Sequence, residues 1–170
     1  VRVDEPEGCP RFGGRVIEGI DARRPTPGWM KTRLERAGIR SISAVVDVTN
    51  YVMLELNQPM HAYDAATLRG PALIVRGARE GESLVTLDGV TRTVAAGSLM
   101  IADAERAIGI AGVMGGQDTE VTDATTDIFL ECAWFDPSRV RAARRAANLS
   151  TDASQRFERG TDRWGAVDAF

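Results

Sequence analysis

LVTLDGVTRTV, residues 84–94, is the stretch on which the reading of the fold turns. Two short alternating runs meet at Asp88-Gly89, which predicts a β-hairpin closed by a type I′ turn. The β texture starts at Leu73 and continues beyond the hairpin. SLMIAD (98–103) and AIGIAGVM (107–114) read as a second pair of strands, followed by Gly115-Gly116. IFLECAWF (128–135) reads as a long apolar strand, buried on at least one face. Helical signals flank this block. Upstream, Thr26 suits an N-cap, Pro27 the first helical position and Gly38 the C′ position, with Met30, Leu34 and Ala37 on one face. Residues 43–56 carry β-branched valines, but Val45, Val48, Val52 and Leu56 fit a helical stripe and the run is long for a strand. A helix ended by Pro59 is expected, with Asp47, Asn50 and Tyr51 sharing a face. Downstream, Asp136 caps and Pro137 opens a basic helix, and STDAS (150–154) is a short turn before a last charged segment. A short strand is expected at 15–20, after a turn at Gly13-Gly14. Strands framed by helices define an α+β protein of layered sheets with helices on one side.

The composition narrows the function. The chain has 170 residues, enough for one domain with its own core. Its 44% hydrophobic and 26% charged residues are those of an ordinary globular domain. No apolar run approaches the roughly 20 residues of a membrane span, and the acidic start is no signal peptide, so a cytoplasmic setting is expected. A net charge of −3 argues against a free-standing, non-specific nucleic-acid binder. Lys31 is the only lysine among 21 basic residues, which is read first as compositional bias. Cys9 and Cys132 have no metal or redox spacing, and His61 is the only histidine, so no metal site is expected. The final segment has no terminating signal, which suggests a piece of a longer chain.

Several strings occur in a telling order: VVDVTNYVMLELNQPMHAYD, TLDG, AGVMGG, LECAWFDPSRVR and LSTDASQRFERG. Together with CPRF and TPGWMKTRLERAGIRS they resemble the B3/B4 region of the bacterial phenylalanyl-tRNA synthetase β subunit, over essentially the whole of residues 1–170. The chain departs from the usual pattern at Ser43 and Ala44, at Asn57, at TDRW, and at Tyr63, where phenylalanine is common. The resemblance implies a three-layer ββα sandwich and a post-transfer editing domain that hydrolyses tyrosine wrongly esterified to tRNA(Phe). It also implies a parent (αβ)₂ heterotetramer whose α subunit holds the ATP- and Mg²⁺-dependent ligase site, with no cofactor in this domain. The alternative is a non-catalytic module that docks tRNA or scaffolds the synthetase.

A pocket made for phenylalanine rejects an analogue with one extra hydroxyl by only about 100-fold, so a second, hydroxyl-reading site is useful. That site needs a buried polar group which the tyrosine hydroxyl satisfies. Glu131, inside the apolar strand, matches the resembled family's tyrosine-reading glutamate; on composition alone it would be a solvent-facing strand residue. Alternation puts it on the face of Phe129 and Ala133, opposite Leu130 and Cys132. His61 matches the editing histidine, and Asn50 is suited to orienting substrate or water; both are placed in a catalytic role. Gly112 and Gly115, in the glycine-rich loop 111–116, and Thr151 and Ala153 are assigned to the substrate pocket. Thr151 also suits an N-cap. Without a nucleophile motif, attack by water on the ester, aided by the terminal ribose hydroxyl, is the expected chemistry. Arg139, Arg141, Arg144 and Arg145 are a solvated helix face or, secondarily, a steering patch for tRNA phosphates.

Overall fold

The computed structural model describes every residue except Asp168, which lies in the final charged segment. The described residues form three sheets and four α-helices, with short 3-10 turns between them. A five-stranded sheet has the order β1 (Arg2–Val3), β4 (Ile74–Gly77), β7 (Leu99–Ala102), β8 (Ala107–Ile110), β9 (Met114–Gly115). Only the β1–β4 pair in it is parallel. A second, antiparallel sheet places β10 (Ile128–Trp134) between β2 (Arg11–Ile17) and β3 (Met60–Asp64). The hairpin of β5 (Ser83–Val85) and β6 (Thr91–Thr93) stands apart, linked to the first sheet by a bridge from Thr86 to Gly116.

One apolar core is shared by the two larger sheets and by helices α3 (Pro137–Ala146) and α4 (Asp152–Arg159). Val75, Met100 and Ile101 enter it from the five-stranded sheet, Tyr63 and Ala133 from the three-stranded one, and Val140 and Phe157 from the helices. The alternation of β10 is used on both faces. Ala133 joins the main core, whereas Cys132 turns the other way onto Val52 of α2 (Ala44–Leu56) and Met60. Helix α1 (Gly28–Arg36) packs on α2. The α+β class read from the sequence is the class of the structure.

Several local expectations change in tertiary context. Gly13-Gly14 makes no turn but lies inside β2, opposite Cys132 and Glu131. A Cβ on Gly14 would sit 1.9 Å from the Phe129 ring, so the glycine lets that ring lie across the strand. The hairpin has no type I′ turn, because Asp88 lacks the positive φ that turn demands. Instead Gly89 N–H donates to Thr86 O at 2.8 Å, Thr86 N–H donates to Val90 O at 3.1 Å, and Gly89 takes φ +75°. This is a type I turn closed by a glycine bulge, the usual three-residue solution.

Thr26 does not cap α1; its hydroxyl donates to the buried carboxylate of Asp47 at 2.5 Å. Ser41 Oγ and Ile42 N–H also donate to Asp47, so this residue ties the segment before α2 to the approach to α1. Ala37 is exposed. On α2 the buried positions are Asp47, Thr49 and Met53, while Val48 and Leu56, expected on the apolar stripe, face outward. Ser43 caps this helix and Asn57 ends it in the left-handed conformation, ahead of Pro59. STDAS is more than a turn: Thr151 and Ser154 form a reciprocal capping box that starts α4.

Candidate functional site

The register of β3 against β10 sets Glu131 directly opposite His61. Because successive strand residues alternate faces, Tyr63 falls on the same side as His61, next to Phe129. The side chains of His61, Tyr63 and Glu131 line one wall of a cavity of about 230 Å³. Residues Gly109 to Gly115, running from β8 into β9, line another wall, and α4 with its cap adds Thr151, Ala153 and Phe157. Leu87 of the hairpin and Phe135 complete the apolar lining. The structure therefore brings together His61, Glu131, Gly112, Gly115, Thr151 and Ala153. Asn50 is not among the residues of the wall; it is half-buried on α2, the helix that covers the other face of the β3–β10 pair.

Glu131 is 6% exposed, and its partner in the protein is Tyr63, whose hydroxyl donates to Oε2 at 2.5 Å. Among the described residues no donor is bound to Oε1. Burial raises the affinity of this carboxyl for its proton, to a pKa of about 7, and the Tyr63 hydrogen bond acts in the opposite direction. The Tyr63 phenol is pushed well above its ordinary range, first by burial and then by the adjoining carboxylate, so it remains the donor. His61 stands edge-on to the Tyr63 ring, with centroids 4.5 Å apart. Burial lowers its pKa to about 4, so the imidazole is neutral at physiological pH. His61 Nε2 is shielded from solvent and has no hydrogen-bond partner among the described residues. The thiols of Cys9 and Cys132 are both raised to about 12 by burial and by the charge of Glu131, which makes them inert as nucleophiles.

The glycines shape the loop wall. A Cβ on Gly115 would lie 2.6 Å from His61 Nε2, so a glycine there is what gives the imidazole its place. Gly112 takes φ +68°, and a side chain on it would strike Val140, Phe135 and Phe157. Thr151 holds the loop to α4: its hydroxyl donates to Val113 O at 2.8 Å and accepts from Ser154 N–H at 3.0 Å. It is at once the helix cap and part of the cavity wall. The basic helix is largely paired. Arg144 grips Glu158 through two nitrogens and Arg139 reaches Glu5 at 2.9 Å, which leaves fewer free charges than the sequence implies.

Sequence reasoning passed over Tyr63 as a site residue. The signal was present, because a polar-tipped ring two positions after His61 must share its face. Phe135, Phe157 and Leu87 carry no mark of a site in the sequence and reach the cavity only through packing.

The chemistry of this wall is a carboxylate and a neutral imidazole side by side on a largely apolar cavity. Such a wall can receive a ring and distinguish it by a polar substituent. The chain is 54% identical over 162 residues to the phenylalanine–tRNA ligase β subunit of Methylococcus capsulatus, a match covering 95% of this chain and 20% of that protein. It is 52% identical over 162 residues to the β subunit of Aromatoleum aromaticum, with the same shares covered. The chain thus spans about a fifth of the length of these curated relatives. Among solved structures, an N-terminal fragment of the phenylalanyl-tRNA synthetase β subunit from Pyrococcus horikoshii shares the fold, with a TM-score of 0.57 at 12% identity, over 86% of this chain and 48% of that one. With residues 8–170 matching the family's B3/4 domain, and the cavity lying wholly within them, the chain belongs to the B3/4 domain family.

Proposed function

We propose that this domain is the editing part of a phenylalanine–tRNA ligase β subunit and hydrolyses the ester of tyrosine wrongly joined to tRNA(Phe). The observation that carries the reading is the Glu131 carboxylate, held in a largely apolar cavity directly opposite His61. An aromatic side chain entering the cavity meets Leu87, Phe135 and Phe157 along its ring. A tyrosyl hydroxyl donates to Glu131, while a phenylalanyl ring desolvates that carboxylate and offers nothing in return. His61 acts as a neutral hydrogen-bonding group that orients the attacking water or the ester. Its low proton affinity makes it a weak general base. The Gly112–Gly115 loop lines the cavity, and its end glycines let His61 on one side and Phe135 and Phe157 on the other pack against it, which fixes the imidazole and the rings where the ester and the aromatic side chain meet them. Thr151, bonded to Val113 O of that loop, and Ala153 add to the lining.

In the parent assembly, the ATP- and Mg²⁺-dependent ligase chemistry belongs to an α subunit in an (αβ)₂ arrangement, and the acceptor end of tRNA(Phe) is delivered to this domain. The test is deacylation of Tyr-tRNA(Phe) and Phe-tRNA(Phe) by the parent enzyme. The reading expects rapid release of tyrosine, sparing of phenylalanine, and loss of the difference in Glu131→Ala. Equal rates for both esters in the wild type would refute it.

A second reading, a non-catalytic docking module for tRNA, draws on the exposed Trp164 with the Arg11 guanidinium 4.2 Å from its ring. Such a pair suits stacking of an unpaired base. It expects tRNA binding to weaken in Trp164→Ala with no ester hydrolysis in any variant.

A further inference from the structure

We propose that Tyr63 determines specificity in this cavity: by donating to Glu131 Oε2 it holds the carboxylate in one orientation, so that Oε1 is the oxygen presented to an incoming hydroxyl. The inference rests on the reading of the cavity as a tyrosine-selective ester site and deepens it by naming how the hydroxyl is read.

Glu131 and Tyr63 are both deeply buried, at 6% and 1% exposure. The titratable groups around Glu131 are the Tyr63 phenol and the His61 imidazole from β3, with the Cys9 and Cys132 thiols close enough to feel its charge. No cation among the described residues is paired with it. A buried carboxylate in that position depends on its donors, and here the protein supplies one. The donor cannot swing away. The Tyr63 ring is wedged edge-on against His61 at 4.5 Å and tilted against Phe129 at 6.5 Å.

Because a carboxylate accepts at both oxygens, the bond to Oε2 leaves room for a second hydroxyl on Oε1. Tyrosine then completes the hydrogen bonding of the carboxylate, and phenylalanine leaves Oε1 bare in a desolvated cavity. Tyr63 also favours the charged carboxylate. Its bond offsets part of the burial that draws a proton onto Glu131, and a charged acceptor binds a hydroxyl more strongly than a neutral one. Tyr63 is a positioning residue, acting on the substrate through Glu131.

The experiment is Tyr63→Phe in the parent enzyme, with two readouts. The first is the ratio of deacylation rates of Tyr-tRNA(Phe) and Phe-tRNA(Phe) across pH 6 to 9. Losing one charge-assisted hydrogen bond should lower the ratio about tenfold at neutral pH and move the pH at which discrimination sets in upward by about one unit or more. At the alkaline end discrimination should recover only in part, because the carboxylate regains its charge but not the bond that orients it. The second readout needs no editing: calorimetric binding of p-cresol against toluene, with Glu131→Gln as the control that removes the preference. Tyr63→Phe should weaken p-cresol binding about tenfold and leave toluene unchanged.

An unchanged ratio, pH profile and p-cresol affinity would overturn the proposal and leave Tyr63 as packing. A larger ratio or tighter p-cresol binding would overturn it too, because Tyr63 would then compete with the ligand for Glu131. If the wild-type enzyme spares both esters yet its p-cresol preference depends on Tyr63 as described, the editing reading falls and the recognition role stands.

Discussion

Glu131→Gln should make the fold more stable at alkaline pH while disabling selection. Burial lifts the Glu131 carboxyl from 4.5 to about 7. A group whose pKa is raised by folding holds its proton more tightly in the native state. The stability it contributes is therefore fully present below about pH 4.5 and is lost as pH climbs through 7. Each tenfold change in proton affinity is worth about 1.4 kcal/mol, so the full span corresponds to on the order of 3 kcal/mol. Glutamine keeps the shape and an acceptor for the Tyr63 hydroxyl but carries no charge at any pH. Denaturant unfolding of the 170-residue chain should then show wild type and variant alike near pH 4.5 and diverging above it. By pH 8 the variant should be ahead by about 2–3 kcal/mol. At pH 8, where the wild-type carboxylate is charged, deacylation of Tyr-tRNA(Phe) by the variant parent enzyme should be about tenfold to a hundredfold slower, the loss of one charge-assisted hydrogen bond in the transition state. A variant equally destabilised at both pH values would show that Glu131 is not a desolvated carboxylate. A carboxyl that is not desolvated could not penalise phenylalanine, and Glu131 would not read the hydroxyl.

Other perturbations test other parts of the wall. His61 has its pKa depressed to about 4 by burial, so the native state resists its protonation, and stability should drain away as pH falls from about 6.5 toward 4. His61→Gln should remove that acid sensitivity, on the order of 3 kcal/mol in an acid-unfolding titration, and slow both esters alike; slowing of the tyrosyl ester alone would contradict a role at the ester. Gly115→Ala forces a methyl group onto His61 Nε2 and should cost about 1–3 kcal/mol in denaturant unfolding, with hydrolysis of both esters reduced together; a wild-type rate would show that the imidazole position is immaterial. Thr151→Ala loses the α4 cap and the bond to Val113 O, so stability should drop by about 1–2 kcal/mol, with faster hydrogen exchange at the Ser154 amide.

What could be read in the sequence is what neighbouring residues decide. The Asp136-Pro137 start of α3 and the alternation of IFLECAWF depend on hydrogen bonds and faces set within a few positions. So does the pairing of β7 with β8. Assigning Glu131 and His61 to one site rested on resemblance, because alternation gives each its face but not its partner across the sheet.

Tertiary structure decided the rest through register and contact. Tyr63 and Glu131 are 68 positions apart, and only the alignment of β3 on β10 brings the phenol to the carboxylate. Gly14, an evident turn residue locally, became a strand residue because Phe129 needed the space above it. Val48 and Leu56 fit a helical stripe as well as the buried positions do; which face of α2 was covered depended on the three-stranded sheet and α1. Asn50 shows the same limit, since a polar residue on a helix face carries no mark of which cavity, if any, that face will meet. The physical reason is common to all four. Local propensity is a sum over adjacent residues, whereas burial of a charge or a ring is settled by groups that folding alone brings within a few ångströms.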